Sequence, residues 1–298
     1  MTRAPFLSSI IAPLITGTLL SVKLSGSFSI AGFILVLITG IGLHVATNVY
    51  NDIYDTIQGT DKVNVHRNEF SGGSGVLQDS PALMATMYRL ARGGLIIAFF
   101  STMGLMFFVD TNLWPYLWGL FLGGAFFSKF YTAAPVKLAY RGLGEISVWF
   151  SFGPMAILVA AVSQNVMFSR EALMLMPASG LSTLSILLVG QMIDVEADIA
   201  GGKHGVASRL GTGATAALYV LAQLGIIANV IGIILVFPGP TVWFLPSLIP
   251  YILIFPAACS VIIRHHHKPD ELKRAAKMTV LIHLLFSLLL IAGFAAYL

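Results

Sequence analysis

Two groups of acidic and amide side chains lie where long apolar segments of this chain end. The first group is made of Asn51, Asp55 and Asp61, and the second is made of Asp194 and Asp198. In each group two residues are four positions apart, so on a helix their side chains project from the same face. Ionised carboxylates are costly next to hydrocarbon, and acidic residues in or beside a membrane span are candidates for a functional site for that reason. A divalent cation is the natural compensating charge.

Lysine and arginine side chains follow both acidic groups, within segments 62–67 and 203–209. Mg²⁺ takes oxygen ligands and is usually held by one or two carboxylates together with substrate phosphates and water. Carboxylates that are flanked by cations therefore suit a metal-bound diphosphate better than a bare ion. If that diphosphate carries an isoprenoid group, its ionisation leaves an allylic cation beside the membrane interior, where aromatic rings can stabilise it.

The rest of the chain is strongly apolar. Of its 298 residues, 57% are hydrophobic and 10% are charged, and the mean hydropathy is +0.86. Many apolar runs are long enough to cross a bilayer as helices, and they lack the alternation of a membrane β-barrel. The sequence therefore predicts an all-α, polytopic membrane protein, a single domain over residues 1–298 with a bundle of nine transmembrane helices. The expected spans are 6–24, 28–51, 84–109, 113–131, 144–166, 172–193, 213–237, 243–263 and 278–298.

The positive charges predict how these helices are oriented. If the N-terminus is cytoplasmic, only Lys23 and Arg170 among the 17 lysine and arginine residues fall in the external connections. Such a bias is what the positive-inside rule describes. We therefore expect both acidic groups, and with them the active site, on the cytoplasmic side of a prokaryotic cell membrane.

The charge balance and the cysteine content argue against other kinds of function. The formal net charge of +4 is spread over the cytoplasmic connections, where it suits lipid headgroups and topology better than nucleic acid. Cys259 is the single cysteine and cannot form an intrachain disulfide, so redox chemistry of thiols is not expected. Small molecules and membrane lipid are the expected partners, and nucleic acid is not.

The two acidic groups belong to recognisable motifs. Segment 51–61 reads NDIYDTIQGTD, and segment 194–211 reads DVEADIAGGKHGVASRLG. These segments resemble the two signature motifs of the UbiA superfamily of intramembrane aromatic prenyltransferases, and the predicted nine helices agree with that family. Segments 131–145 and 152–154, which read YTAAPVKLAYRGLGE and FGP, resemble the branch that prenylates 1,4-dihydroxy-2-naphthoate on the way to menaquinone.

This resemblance implies a site for two Mg²⁺ ions and a polyprenyl diphosphate. Asn51, Asp55 and Asp61 would hold one ion, Asp194 and Asp198 would hold the other, and the diphosphate would bridge them. The prenyl group would pass to an aromatic acceptor, in the naphthoate branch with loss of the acceptor's carboxylate as carbon dioxide. The length of the prenyl chain, the general base and the oligomeric state stay open. So does the choice among other acceptors, namely 4-hydroxybenzoate, a tocopherol or haem precursor, or a glycerol phosphate lipid.

Further polar side chains are candidates for contact with the substrates. The candidate cations for the diphosphate are Arg67, Lys129, Lys137, Arg141, Lys203 and Arg209. Each of them has the alternative role of fixing the topology. Asp52 and Glu196 lie inside the motifs, where they either contact the substrate or support the ligands from behind. Tyr131 could contact a substrate or anchor a helix end at the interface, and Glu145 could cap the fifth helix.

Two functions of other classes compete with prenyl transfer. A secondary transporter would bind protons or cations at acidic residues near the middle of the bilayer, whereas these acidic residues lie at helix ends beside basic ones. A non-catalytic lipid-binding scaffold would not need both acidic groups. The two motifs and the helix count together favour the enzyme.

Overall fold

The computed structural model of this protein is helical in architecture throughout its described part, which comprises residues 4–66, 68, 71 and 73–298. Within that part, eight helices have the length and hydropathy needed to cross a membrane, and a ninth apolar helix has 17 residues. In chain order they are α1 Ser8–Ser25, α2 Ile30–Gln58, α3 Pro81–Leu105, α4 Trp114–Phe130, α5 Gly144–Val162, α6 Arg170–Ile193, α7 Val206–Val236, α8 Thr241–His265 and α9 Pro269–Tyr297. The predicted all-α membrane fold is confirmed.

The first and last helices run parallel, which requires an odd number of crossings. The hydroxyl oxygen of Ser8 in α1 lies 3.1 Å from Nε2 of His283 in α9. At the other end of both helices, the ammonium of Lys23 donates to the carbonyl of Tyr297 over 2.7 Å. α4 is therefore needed as a crossing despite its shorter length. At the usual helical rise it extends about 26 Å, which is close to the thickness of the hydrocarbon layer.

Several helices extend beyond the apolar runs that predict them. α2 continues to Gln58, so Asp55 lies inside a regular helix and not after its end. α9 begins at Pro269, well before the predicted position 278. α7 begins at Val206, but Gly211 interrupts it with φ 85° and ψ 161°, so its uninterrupted part starts near the predicted position 213. Hydropathy locates only the embedded part of a helix, because polar turns outside the hydrocarbon are stabilised by capping and by water.

Glycines let two pairs of helices approach closely around the cavity described below. α2 meets α3 at Gly42 and Gly94, where a Cβ on either residue would be 2.7 or 2.6 Å from the carbonyl oxygen of the other. α5 crosses α6 where Gly153 meets Gly180, and a Cβ on Gly153 would be 2.5 Å from the carbonyl oxygen of Met176. Small residues at such crossings are the usual means of bringing helix backbones together in a membrane.

The middle of α5 contains a π-helical turn over Ser151–Met155, around Pro154. Proline lacks an N–H group and crowds the preceding turn, so nearby backbone groups need other partners. Ser179 of α6 is one such partner, because its hydroxyl donates to the carbonyl of Phe152 over 2.9 Å. The turn therefore ties α5 to α6 at the level where Phe152 lines the cavity.

The apolar core of the described residues consists of four clusters, and two of them lie in different parts of the bundle. Phe244, Phe286 and Phe294 belong to a cluster that joins mainly α6, α7, α8 and α9. Leu14 and Leu117 belong to a second cluster, which joins α1, α2, α3, α4 and α5. α1, α2, α4, α5 and α6 also enclose a cavity, and the two acidic groups meet there.

Candidate active site

The cavity among these five helices has a volume of about 270 Å³. One end of it is polar and is lined by side chains of both acidic groups, namely Asn51, Asp55, Asp61, Asp194 and Asp198. The remainder runs along faces of α4 and α5 that are largely apolar. The structure therefore brings the two sequence motifs together at one site.

The last turns of α2 present Asn51 and Asp55 to the cavity. As their spacing predicts, the two side chains share a face, and Nδ2 of Asn51 donates to Oδ2 of Asp55 over 3.0 Å. Asp52 projects in another direction, is buried, and accepts a hydrogen bond from the backbone N–H of Ser74 over 3.1 Å. Asp52 is not part of the cavity wall. Its position corresponds to the supporting role, in which it holds the loop that follows α2.

Asp61 lies in the short helix Thr60–Val63, which follows a left-handed turn at Gly59 with φ 86°. Its Oδ1 accepts the backbone N–H of Gly73 over 3.1 Å, and its Oδ2 is buried without a hydrogen-bond partner among the described residues. A Cβ at position 73 would be 2.6 Å from Cγ of Asp61, so any larger residue there would displace this carboxylate. Burial and the nearby charge of Asp55 raise the pKa of Asp61 to about 6.

The second acidic group lies at a break between two helices. α6 ends at Ile193, Asp194 has φ −91° and ψ 5°, and a short helix then covers Val195–Ala200. The prediction that Asp194 and Asp198 share one uninterrupted helix is therefore wrong. The backbone N–H of Asp198 still bonds to the carbonyl of Asp194 over 2.8 Å, and both side chains line the cavity. Burial raises the pKa of Asp198 to about 7, although the charge of Lys203 opposes this shift.

Side chains that follow each acidic group along the chain form hydrogen bonds with the other group. Asn64, which follows the first motif, donates from Nδ2 to Oδ1 of Asp194 over 2.8 Å. Lys203, which follows the acidic residues of the second motif, places its Nζ 2.9 Å from Oδ2 of Asp55. Each loop therefore reaches a carboxylate of the other motif, and together the loops close the polar end of the cavity.

Asp55 is the most fully engaged carboxylate of the site. Its Oδ1 accepts the hydroxyl of Tyr140 over 2.7 Å, and that hydroxyl also lies 2.8 Å from Oγ1 of Thr60. Its Oδ2 accepts from both Asn51 and Lys203. Burial lowers the pKa of Lys203, but the Asp55 and Asp198 carboxylates, together with two nearby tyrosines, outweigh this effect and hold the pKa well above its ordinary value. The ammonium therefore stays charged inside the site.

Lys203 is the one predicted cation that lines the cavity among those the structure describes. Arg67 lies outside the described residues. Lys129 and Arg141 are exposed, and the guanidinium of Arg141 donates to the backbone carbonyl of Pro135 over 2.9 Å. Neither side chain lines the cavity, and their role in fixing the topology stays a prediction.

Lys137 and Arg209 lie near the site but outside its wall. The ammonium of Lys137 is 5.5 Å from the centre of the Tyr140 ring, a cation–π contact. Arg209 is exposed and packs against Gly142, where a Cβ would collide with the guanidinium. Glu196 is also exposed, so its place inside the second motif does not bring it to the cavity.

Tyr131 lines the cavity, whereas Glu145 organises the loop beside it. Burial raises the pKa of the Tyr131 phenol, so this group stays protonated and can donate a hydrogen bond. Oε1 of Glu145 accepts from Nε2 of Gln191 over 2.7 Å and from the backbone N–H of Val206 over 2.6 Å. Glu145 therefore caps the first turn of α7, and not that of the fifth helix.

Several side chains of the site do not stand out in the sequence. Asn64 and Tyr140 hold carboxylates from loops, and no spacing rule indicates which loop residues meet. His44 and Asn48 line the deeper cavity on the same face of α2 as Asn51. Their recurrence at helical spacing within an apolar segment is a signal that could have identified them.

The polar end suits a metal ion that is held together with a ligand. Among the described residues, no three histidine, cysteine or acidic side chains gather closely enough to hold an ion alone. Asp61 nevertheless offers a buried oxygen that has no protein partner, and Asn51, Asp194 and Asp198 add oxygen donors at the same end. A donor set made only of oxygens, and incomplete without further ligands, fits Mg²⁺ with phosphate oxygens and water. The residues present therefore fit this ion.

Two relatives of known activity are similar to most of this chain. The 2-carboxy-1,4-naphthoquinone phytyltransferase of Synechocystis sp. is 26% identical over 306 aligned positions, which cover 98% of this chain and 91% of the relative. The 1,4-dihydroxy-2-naphthoate octaprenyltransferase of Mycobacterium tuberculosis is 29% identical over 234 positions, which cover 77% of this chain and 75% of the relative.

Solved structures share the fold. The apo structure of a UbiA homolog from Aeropyrum pernix K1 superimposes with a TM-score of 0.64 at 16% identity, over 96% of this chain and 97% of that one. A UbiA homolog from Archaeoglobus fulgidus bound to GPP and Mg²⁺ gives a TM-score of 0.57 at 10% identity, over 97% and 98% of the two chains. The model of the UbiA prenyltransferase family matches residues 10–291. Because this match spans nearly the whole sequence, the chain belongs to the UbiA prenyltransferase family.

Proposed function

We propose that this enzyme transfers a polyprenyl group from its diphosphate to 1,4-dihydroxy-2-naphthoate in menaquinone biosynthesis, in a reaction that requires Mg²⁺. The observation that carries this proposal is the polar end of the cavity, where both acidic groups and the charged Lys203 converge beside largely apolar walls. The names of the two relatives support the naphthoate acceptor. The ligands of the Archaeoglobus fulgidus homolog, GPP and Mg²⁺, support the donor and the ion.

The two acidic groups would divide the metal ligands between them. Asn51, Asp55 and Asp61 would hold one ion, and Asp194 and Asp198 would hold the other. When bound, Mg²⁺ supplies Lewis-acid stabilisation of the negative charge on the departing diphosphate. The buried, unpartnered oxygen of Asp61 is the observation that most directly supports a missing ligand on the first side.

The protein itself contributes a fixed cation and fixed carboxylates. The ammonium of Lys203 stands 2.9 Å from Asp55 and is positioned to bind a diphosphate oxygen at the same end of the cavity. Asn64 and Tyr140 hold the carboxylates of Asp194 and Asp55 in place before any ligand enters. Such preorganisation lowers the entropic cost of orienting the reactants.

Transfer requires an allylic carbon, a leaving group and an electron-rich ring. The C–O bond of the donor breaks and its electron pair leaves with the diphosphate. The rings of Phe127, Tyr131 and Phe152 line the cavity and can stabilise the allylic cation. The ring carbon that bears the naphthoate carboxylate supplies the electron pair of the new C–C bond. That carboxylate then leaves as carbon dioxide and returns its bonding pair to the ring.

The test is product analysis with the purified enzyme in detergent. Wild-type protein incubated with Mg²⁺, geranylgeranyl diphosphate and 1,4-dihydroxy-2-naphthoate should yield the decarboxylated prenyl adduct by mass spectrometry. We expect Asp55→Ala and Asp198→Ala to lower turnover by about a hundredfold or more, because each removes charge stabilisation at the reacting end. Glu196→Ala is the matched control, since Glu196 belongs to the same motif but is exposed, and it should stay close to wild type.

Metal removal tests the same proposal independently of folding. Excess EDTA should stop product formation, and added Mg²⁺ should restore it. Turnover that persists in EDTA, or in a correctly folded Asp55→Ala enzyme, would contradict the assignment of the acidic groups. Product from another acceptor of the panel, with none from naphthoate, would reject only the choice of acceptor.

A further inference from the structure

A second cavity, of about 220 Å³, lies between α4 and α5, two of the five helices that enclose the first cavity. Its walls come from α4, α5 and the connection that leads to α6. Apart from the hydroxyl of Tyr116, the described side chains around it are apolar. The lining residues are Leu113, Pro115, Tyr116, Gly119, Leu120, Leu158, Val162, Val166, Met167 and Phe168.

Leu120 belongs to the wall of both cavities. On α4, the first cavity is lined beyond Leu120 by Gly124 and Phe127, toward the polar end. The second cavity is lined on the other side of Leu120 by Tyr116 and Leu113. These residues follow one stripe with spacings of three and four positions, so the four that lie in α4 share a face of that helix, and Leu113 directly precedes it. From Leu120 to Leu113 this stripe extends the path by about 10 Å.

α5 shows the same continuity. Met155 and Val159 line the first cavity, and Val162, three positions later, lines the second. The second cavity therefore continues the first one between α4 and α5, in the direction away from the acidic groups. The rings of Tyr116 and Phe168 pack edge to face beside it, with centres 6.2 Å apart.

We propose that the second cavity holds the distal part of the donor's prenyl chain, and that Leu120 determines which donor lengths reach it. This inference rests on the proposed prenyl transfer. α4 and α5 contribute much of the apolar wall of the first cavity, so a chain whose diphosphate is bound at the polar end can follow these two helices to the second cavity. Short donors end before Leu120, whereas longer ones displace its side chain and bury their last units beyond it. Leu120 is half-buried and carries no polar group, so its side chain can move without losing a hydrogen bond.

Two substitutions change the second cavity in opposite ways. Gly119→Leu fills it, and the backbone tolerates this change because a Cβ at position 119 would meet no described atom within 4 Å. Leu120→Ala removes the partition and joins the two cavities. Leu122→Ala is the matched control, since Leu122 is on the same helix, is 61% exposed and lines neither cavity.

The measurement is the ratio of kcat/KM for geranylgeranyl diphosphate to kcat/KM for geranyl diphosphate. We expect Gly119→Leu to lower this ratio by about tenfold, because the longer chain loses the burial of several methylene groups while the shorter one is unaffected. Leu120→Ala should raise the ratio severalfold, since the longer chain no longer has to displace a side chain. Leu122→Ala should leave the ratio at the wild-type value.

The outcomes separate this inference from the proposed function. Unchanged ratios in both Gly119→Leu and Leu120→Ala, with transfer intact, would overturn the role of the second cavity and would leave a lipid acyl chain as its occupant. A wild-type enzyme that prenylates no acceptor would overturn the proposed function. In that case, the second cavity is tested separately by the ratio of the Kd values for the two donors, measured in the same variants. An unchanged ratio would overturn the role of the second cavity.

Discussion

At the scale of single residues, the site depends on side chains that cross from one motif to the other. Asn64 holds Asp194, and Lys203 holds Asp55, so neither acidic group is arranged by its own motif alone. The sequence predicts the carboxylates because their spacing on a helix is regular. It does not predict Asn64, because the path of a loop decides which side chain its residues meet, and no periodicity reports that path.

Substitution of Tyr140 tests whether this residue positions the carboxylate of Asp55. Tyr140→Phe removes the hydroxyl that donates to Oδ1 of Asp55 over 2.7 Å and keeps the ring. A hydrogen bond to a charged group contributes about 1.5–3 kcal/mol, so we expect the Mg²⁺ concentration for half-maximal activity to rise by about tenfold. Turnover at saturating Mg²⁺ should change much less. The measurement is a Mg²⁺ titration of prenyl transfer.

Tyr88→Phe is the control for this titration, because Tyr88 lies on α3 outside the cavity wall. It should leave the Mg²⁺ requirement unchanged. A Tyr140→Phe enzyme with the wild-type Mg²⁺ requirement would show that Asp55 is positioned adequately by Asn51 and Lys203 alone.

At the scale of elements, hydropathy predicts the number and type of helices but not their polar ends. The i, i+4 spacing is correct for Asn51 and Asp55 because α2 continues to Gln58. The same reasoning fails to predict the break at Asp194, where the chain starts a new short helix. A local pattern cannot distinguish a continuous helix from a bent one when the bend is stabilised by contacts from another part of the chain, here by Asn64.

The close crossing of α5 and α6 predicts that a larger residue at Gly180 lowers the stability of the protein. A Cβ on Gly180 would be 2.7 Å from Cδ1 of Trp149, so Gly180→Ala must push the two helices apart. Overpacking of this kind typically costs about 1–3 kcal/mol, and we expect the melting temperature in detergent to fall by several degrees. Gly232→Ala is the control, because a Cβ there would be 3.8 Å from Cε of Met174, an ordinary contact. Equal melting temperatures for the two variants would contradict the tight crossing.

At the scale of the whole molecule, composition alone predicts the membrane, and the parallel course of α1 and α9 agrees with nine crossings. What composition cannot report is the position of the cavities, because they arise where five helices fail to fill the space between them. The side of the membrane on which the active site lies needs a separate argument. It is proposed from the distribution of lysine and arginine, of which only Lys23 and Arg170 fall on the external side.

Labelling of single cysteines tests this orientation. Cys259→Ala removes the single native cysteine, and Ser27→Cys and Glu196→Cys then each place one thiol at an exposed position on opposite sides of the predicted topology. In right-side-out vesicles, a membrane-impermeant maleimide should modify the Ser27→Cys protein at once and the Glu196→Cys protein only after permeabilisation. Glu196 lies two positions from both Asp194 and Asp198, so its labelling reports the side on which the acidic groups open. The reverse pattern would place the active site on the external side, and the diphosphate donor would then have to be supplied from there.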